Sequence, residues 1–182
     1  EKIKGGKEYF VDKQTSRFFD LTMADISVYR GEDIARYGFG AGHPFGTDRH
    51  DRWYDEFKRR QLGNKVDERD PLYAERTEIE LFHETEYVDL VEEKSKTGAG
   101  FLDYGDTPAF EGVFEAASSV VGTSLFAAQS VLQGETKRAF VPIGGLHHAK
   151  RTSASGFCVF NDCAVAIEWL LKQSNINNVA YI

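Results

Sequence analysis

Two adjacent histidines, His147 and His148, are the residues whose type and spacing best suit catalysis in this sequence. They lie in the segment GGLHHAKRTSASGFCVFND, which covers residues 144–162. The ordinary pKa of imidazole, about 6.5, allows one ring of a pair to accept a proton while the other donates one. Both side chains can turn toward one cavity if the segment is a loop. The pair therefore predicts acid–base chemistry.

The residues of this segment leave other interpretations open. A histidine pair in a loop often makes only surface contacts or structural hydrogen bonds. Zinc sites commonly use two histidines, but they need a third protein ligand, and no further His or Cys lies at ligand spacing near the pair. Cys158 is a candidate thiol nucleophile, although Cys158 and Cys163 both have the apolar neighbours that are typical of buried free cysteines.

The elements on either side of the segment predict where the histidines lie in the fold. The sequence predicts a strand over 137–143, a helix over 161–172 and a further strand over 178–182. A strand, a helix and a strand in this order form a unit of a parallel sheet with helices on its faces. Sites in such α/β sheets form just beyond the carboxyl ends of the strands, which is where this segment begins.

The rest of the chain alternates predicted elements with glycine-rich loops. We expect a strand over 24–30, helices over 49–61, 77–94 (as one helix or two short ones) and 110–133, and loops over 37–48 and 95–108. Small residues throughout 110–133 indicate a helix that is buried on most sides. Residues 1–22 are polar and mixed, and are predicted to form an N-terminal extension or an irregular lead-in to a single α/β domain over 23–182.

Composition excludes several classes of protein. Lys and Arg total 22 and Asp and Glu total 29, which gives a net charge of −7 and argues against a nucleic-acid binder that relies on bulk charge. No apolar run approaches the roughly 20 residues of a membrane helix, so no membrane contact is expected. The sequence has only two cysteines, so no disulfides are expected. The N-terminal stretch EKIKGGKEYF has no apolar signal core, so a cytoplasmic protein is expected.

Four segments resemble, in order, the zinc-dependent histone deacetylase superfamily, including its acetoin-utilisation and acetylpolyamine-deacetylase branches. They are GHPFGTDR (42–49), FHETEYVDLV (82–91), DYGDTPAFEGVFEAA (103–117) and GGLHHAKRTSASGFCVFNDCAVAI (144–167). The resemblance implies the arginase/deacetylase-like fold, a parallel central sheet flanked by helices. It also implies hydrolysis of an acetylated lysine or of an acetylated polyamine or other small amine.

The resemblance assigns roles to residues on the histidine segment. His147 and His148 match the tandem histidines beside the metal-bound water, where one deprotonates the water and the pair also serves to protonate the leaving amine. Gly156 and Phe157 match the Gly-Phe pair whose aromatic ring forms one wall of a narrow acyl-lysine tunnel.

Other matched positions lie outside that segment. Asp106 matches the acidic residue at the tunnel rim that binds the substrate backbone, and Gly105 replaces the aromatic residue that often precedes it, which leaves the rim more open. Arg49 matches an arginine of the internal channel for the acetate product. His83 matches a structural position, and His43 is expected to shape the loop before Arg49. His50 matches no family role and is expected to be exposed to solvent.

The same resemblance places the zinc ligands outside this sequence. In the family, an Asp and a His follow the strand that corresponds to NVAYI (178–182), and a second Asp and a catalytic Tyr lie far downstream, all beyond Ile182. We therefore expect no metal ligand within the 182 residues and no activity of this chain alone. The expected forms are a fragment or split gene product, completed by the missing part or by a second chain, or a truncated, catalytically incompetent binding or scaffold protein.

Overall fold

The computed structural model describes residues 2–4, 7–11, 18–20, 25–40 and 42–182. Three short parallel strands form its central sheet: β4 (Ser27–Tyr29), β5 (Asp67–Arg69) and β6 (Ala139–Phe140). Their order is β5-β4-β6, with Ser27 opposite both Asp67 and Ala139. Helices flank this sheet, which confirms the predicted α/β fold.

The strands differ from the predicted ones in length and number. The strands predicted over 24–30 and 137–143 are present but shorter. The sequence did not indicate β5, because its residues Asp67, Glu68 and Arg69 are charged and it lies at a sheet edge. The strand predicted over 178–182 is wrong: a strand needs a hydrogen-bonded neighbour, and no described strand pairs with this stretch.

The N-terminal stretch contains regular structure. Strands β1 (Lys2–Lys4), β2 (Lys7–Val11) and β3 (Phe18–Asp20) form an antiparallel sheet in sequence order, with Tyr9 opposite Asp20. Residues 1–22 therefore include strands, where the sequence alone predicted an extension or an irregular lead-in.

The four predicted helical stretches are all present with slightly different bounds, and one further short α-helix, at 32–35, was not predicted. They are α1 (Glu32–Ala35), α2 (Arg49–Arg59), α3 (Arg76–Ile79), α4 (Thr85–Thr97), α5 (Val113–Leu132) and α6 (Asp162–Leu171). The apolar stretch over 77–94 forms the end of α3 and most of α4, so it belongs to two helices. No helix in the described part of the chain is long and apolar enough to cross a membrane.

Helix α5 is the centre of the core and is buried along more than half of its length. At Gly122 it lies against the backbone of residues 72–74, where a Cβ would be 2.3 Å from the Ala74 nitrogen. The Ser118 hydroxyl donates to the Ala74 carbonyl oxygen at 2.7 Å, and the Ala74 N–H donates to the Ser118 carbonyl oxygen at 3.1 Å. The small residues of α5 therefore allow this close approach, as the sequence predicted.

His50 was expected to be exposed, and this expectation is wrong. Its side chain is only 5% exposed, and its ring lies against those of Trp53 and Tyr54. His50, Trp53, Tyr54 and Phe57 recur at the helical spacing that puts side chains on one face of α2. Burial of that face takes the His50 ring out of water.

Candidate active site

The histidine segment is a loop that joins β6 to the N-terminus of α6. It turns at Gly144 and Gly145: a Cβ at Gly144 would be 2.9 Å from the Ser124 hydroxyl oxygen, and Gly145 has a φ of +97°. Both positions therefore require glycine. The loop therefore begins beyond a parallel strand, which is the position that the sequence predicted for it.

The first residues of α6 hold this loop in place. The buried Asp162 carboxylate accepts backbone N–H groups from Gly145 at 3.0 Å and Leu146 at 2.6 Å, and the Ser124 hydroxyl at 2.5 Å. The Asn161 side-chain amide donates to the carbonyl oxygens of His147 and Ala149 at 3.0 and 2.9 Å. Backbone groups on both sides of the histidine pair are thereby fixed.

Asn161 also begins the helix that supports the loop. Its side-chain oxygen accepts the Ala164 N–H at 2.9 Å, which is a standard N-cap. The sequence located the start of this helix, but it did not indicate that Asn161 and Asp162 contact the histidine loop. A polar pair at a helix N-terminus was the available signal, and it is ambiguous because most such residues only cap their own helix.

The rings of His147 and His148 lie side by side, with 4.4 Å between their centroids and 38° between their planes. The Nδ1 atom of His147 is 3.0 Å from the Gly145 carbonyl oxygen. Since a carbonyl oxygen only accepts, Nδ1 carries the proton of the neutral ring and Nε2 keeps a free lone pair. Both side chains are exposed in the described part of the chain.

Gly156 permits the position of His148. A Cβ on Gly156 would be 3.0 Å from Cγ of His148, and its φ of +53° is one that side chains rarely adopt. The two predicted site residues are therefore in direct packing contact. The glycine that the motif places before the aromatic residue provides room for the second imidazole.

Phe157 is held in an unusual backbone conformation. Its φ is +70°, which is uncommon for a residue with a side chain. Its N–H donates to the Thr107 hydroxyl oxygen at 3.1 Å, and its carbonyl oxygen accepts the Tyr37 hydroxyl at 2.7 Å. Tyr37 in turn accepts the Val159 N–H at 2.9 Å. These contacts fix the direction of the half-buried aromatic ring.

Asp106 is exposed on the loop that lies beside Phe157. The neighbouring Asp103 side chain accepts the N–H groups of Gly105, Asp106 and Thr107 at 2.9–3.1 Å and so closes the loop. Burial acts to raise the pKa of Asp103, but the hydrogen bonds to its carboxylate outweigh burial and hold the pKa well below its ordinary value. The hydrogen bond with Asp103 raises the pKa of Asp106 above its ordinary value.

His43 contacts both the Asp106 loop and the Phe157 ring. Its Nε2 is 3.1 Å from the Asp106 carbonyl oxygen, and its ring centroid is 4.6 Å from that of Phe157. The sequence predicted only that His43 shapes its own loop. The structure therefore brings together His147, His148, Gly156, Phe157 and Asp106, with His43 as an additional member.

Arg49 lies at the N-terminus of α2 and is exposed. Its guanidinium carbon is 4.3 Å from the centroid of the Phe45 ring, a cation–π contact. Phe45 packs against Tyr37, with 5.7 Å between the ring centroids. Through these rings Arg49 is connected to the Phe157 side of the site, whereas its predicted role in a product channel stays a prediction.

The sequence is similar to those of known proteins over most of its length. The histone deacetylase domain profile matches residues 43–182. The chain belongs to the histone deacetylase family. It is 40% identical over 161 residues to the acetoin utilization protein AcuC of Bacillus subtilis, covering 83% of this chain and 41% of that protein. It is 33% identical over 155 residues to histone deacetylase clr6 of Schizosaccharomyces pombe, covering 81% of this chain and 38% of that protein.

A solved structure supports the same fold. The HD domain of HDA15 superimposes with a TM-score of 0.71 at 24% identity, covering 80% of this chain and 43% of that one. The histone deacetylase family member described here therefore spans about two fifths of the length of these relatives.

The zinc ion that is usual in histone deacetylases does not fit the described residues alone. In residues 25–40 and 42–182, no three His, Cys, Asp or Glu side chains are grouped as a metal site requires. The His147 and His148 rings lie next to each other, His147 also lies near the Tyr181 ring at 6.3 Å between centroids, and His148 packs beside Gly156. The structure therefore shows two adjacent imidazoles without a third metal-binding side chain among the described residues.

Cys158 lacks the environment of a nucleophile in this histone deacetylase domain. Its side chain is buried, and burial raises the pKa of the thiol above its ordinary value. A thiolate, which is the reactive form, is therefore disfavoured. The environment of Cys158 therefore does not support the alternative of a cysteine hydrolase.

Proposed function

We propose that this protein acts in the hydrolysis of an acetylated amine, with this chain supplying the acid–base histidines and part of the substrate tunnel. The observation that carries the proposal is the juxtaposition of the His147 and His148 rings at 4.4 Å on a loop at the end of the parallel sheet. Membership of the histone deacetylase family supports the same chemistry.

The histidine pair suits the two proton transfers of amide hydrolysis. Water adds to the acetyl carbon, the carbon–nitrogen bond breaks, and acetate and the free amine leave. One imidazole accepts the proton of the attacking water, and the pair returns a proton to the leaving nitrogen. The free lone pair on Nε2 of His147 supports a role in accepting a proton, because Nδ1 is already committed to Gly145.

The rim and wall residues suit an extended acyl-amine substrate. The Phe157 ring provides an apolar surface for the methylene groups of an acetylated lysine or of a polyamine. The exposed Asp106 carboxylate can accept hydrogen bonds from substrate N–H groups. Gly105 leaves the rim open beside Asp106, so both a peptide and a small amine such as an acetylpolyamine are proposed substrates.

The proposed hydrolysis also requires zinc, and the described residues do not include a set of ligands for it. We assign its ligands to residues beyond Ile182, or to a second chain that completes the sheet, in line with the family's usual cofactor. Arg49 is proposed to bind the acetate product through its guanidinium group. These assignments make the 182-residue chain inactive by itself, and we propose the cytoplasm as its compartment.

The product of the complete gene tests this function. We expect it to contain stoichiometric zinc and to release acetate from an acetyl-lysine peptide or an acetylated diamine, with chelation abolishing turnover. The 182-residue chain, purified alone, is expected to show neither property. A complete gene product without zinc and without turnover on either substrate would favour the alternative of a catalytically incompetent binding or scaffold protein.

A further inference from the structure

Both ring nitrogens of His43 have hydrogen-bond partners, and its ring packs against two aromatic side chains. Its Nδ1 accepts the Phe45 N–H at 3.0 Å, so Nδ1 is unprotonated, and the neutral ring carries its proton on Nε2. That proton is directed to the Asp106 carbonyl oxygen, 3.1 Å away. The ring also contacts those of Phe39 and Phe157, with centroid distances of 4.5 and 4.6 Å and interplanar angles of 52° and 80°.

These contacts join three loops that are distant in the sequence. One loop carries His43, the second carries Asp106, and the third carries Phe157, next to the Gly156 that packs against His148. The second and third loops also meet through the Thr107 hydroxyl, which accepts the Phe157 N–H and donates to the Asp106 carboxylate at 3.2 Å. The His43 imidazole and the Thr107 hydroxyl therefore together hold the Asp106 loop beside Phe157.

We propose that His43 is a positioning residue that determines how tightly the site holds substrates with backbone amides. This inference rests on the proposed function, because it assigns His43 to the binding of the same acetylated substrate. His43 holds the Asp106 backbone through its carbonyl oxygen, and the Thr107 hydroxyl binds the Asp106 carboxylate, which is proposed to receive the substrate N–H groups. Among the described residues, His43 makes no hydrogen bond or ring contact with His147 or His148, so we expect the chemical step to be unchanged.

Three substitutions separate this role from general packing. In His43→Phe the aromatic contacts are kept and both hydrogen bonds are removed. In His43→Gln a side-chain amide nitrogen lies near the place of Nε2 and can still donate to the Asp106 carbonyl oxygen. His50→Phe is a matched control, because neither nitrogen of that buried ring has a hydrogen-bond partner among the described residues, Nδ1 being 3.5 Å from the exposed Asp51 carboxylate, and the ring lies on α2 near Trp53 and Tyr54.

Kinetics of the complete gene product provide the first readout. For an acetyl-lysine peptide we expect His43→Phe to raise KM about tenfold and to change kcat less than about threefold. For an acetylated diamine, which has no backbone amides, KM should stay within about threefold of wild type. His43→Gln should restore most of the peptide KM, and His43→Phe should add nothing to Asp106→Ala.

Amide hydrogen exchange of the 182-residue chain provides a readout that needs no activity. Exchange at Gly105, Asp106 and Thr107 should be faster in His43→Phe than in wild type and unchanged in His50→Phe. Equal exchange in wild type and His43→Phe, an equal kcat loss on both substrates, or full additivity with Asp106→Ala would overturn the proposal. If the wild-type complete gene product shows no turnover, the proposed function is contradicted but the role of His43 is not. The hydrogen-exchange comparison then tests whether His43 positions the Asp106 loop.

Discussion

The Asp162 carboxylate accepts the Leu146 backbone N–H at 2.6 Å, which ties the first turn of α6 to the residue before His147. The same carboxylate accepts the Gly145 N–H and the Ser124 hydroxyl. It is only 1% exposed, so water cannot replace these bonds if they are lost. The orientation of the residues just before the histidine pair therefore depends on the carboxylate of the first residue of α6.

Replacing Asp162 with Asn should destabilise the protein while preserving its shape. The amide keeps one acceptor oxygen but loses the charge and the second acceptor, so we expect a loss of about 1–3 kcal/mol in the free energy of unfolding. Urea denaturation of the 182-residue chain measures this. Glu86→Gln is the control, because Glu86 is an exposed acid in the first turn of α4 and should cost less than about 0.5 kcal/mol. Equal effects of the two substitutions would contradict the role of Asp162.

Buried His83 should make stability depend on pH. Burial lowers its pKa to about 4, and its Nε2 accepts the Asn161 N–H at 2.9 Å. The unfolded ring, with a pKa of about 6.5, binds a proton in the window between these values while the folded ring does not. Stability is therefore fully present above about pH 6.5 and is lost as pH falls toward 4.

The size of this effect can be measured by urea unfolding at two pH values. We expect a loss of about 2 kcal/mol between about pH 7.5 and about pH 5. In His83→Gln the side-chain oxygen can accept the same N–H and does not titrate, so most of the loss should disappear. An unchanged pH dependence in His83→Gln would show that other groups cause it.

Gly122→Ala tests the contact between α5 and residues 72–74. The new Cβ would be 2.3 Å from the Ala74 nitrogen and from the Tyr73 carbonyl carbon, and backbone cannot move aside as a flexible side chain can. We expect a destabilisation of about 3 kcal/mol or more, measured by thermal or urea unfolding. Gly40→Ala is the comparison, because no atom lies within 4 Å of its Cβ position and it should be nearly neutral. Similar stability of the two variants would show that α5 does not pack as described.

Gly156→Ala should impair the site more than the fold. The added Cβ would lie 3.0 Å from Cγ of His148 and 3.1 Å from its Cβ, so the imidazole must move. We expect turnover by the complete gene product to fall at least about tenfold, because proton transfer depends on geometry of the pair. Wild-type turnover together with normal stability would argue that His148 has no defined position in catalysis.

Local sequence predicted the elements whose signals are strong within a short window. Helices α5 and α6 have long apolar stretches with clear ends, and the βαβ order indicated a parallel sheet. Strand β5 was missed because three charged residues at a sheet edge carry no apolar alternation. The stretch 178–182 has strand-type residues, but pairing depends on a neighbour that the local sequence does not contain.

For the site as well, the sequence predicted the residues of local motifs but not the contacts between distant segments. The motif predicted His147, His148, Gly156, Phe157 and Asp106, and the structure brings them together. The bonds from His43 to Asp106 and from Asp162 to Leu146 join residues 63 and 16 positions apart, so no local pattern encodes them. Burial of His50 is likewise set by the surface on which α2 packs.

The most direct test of the acid–base assignment is the turnover of His147→Ala in the complete gene product. His147 is exposed, so its truncation should leave stability nearly unchanged and any lost activity reports on chemistry. With an acetyl-lysine peptide, and with zinc content measured in the same sample, we expect kcat to fall by about 10²–10⁴ at unaltered zinc content. A variant that holds its zinc and turns over at the wild-type rate would contradict the account.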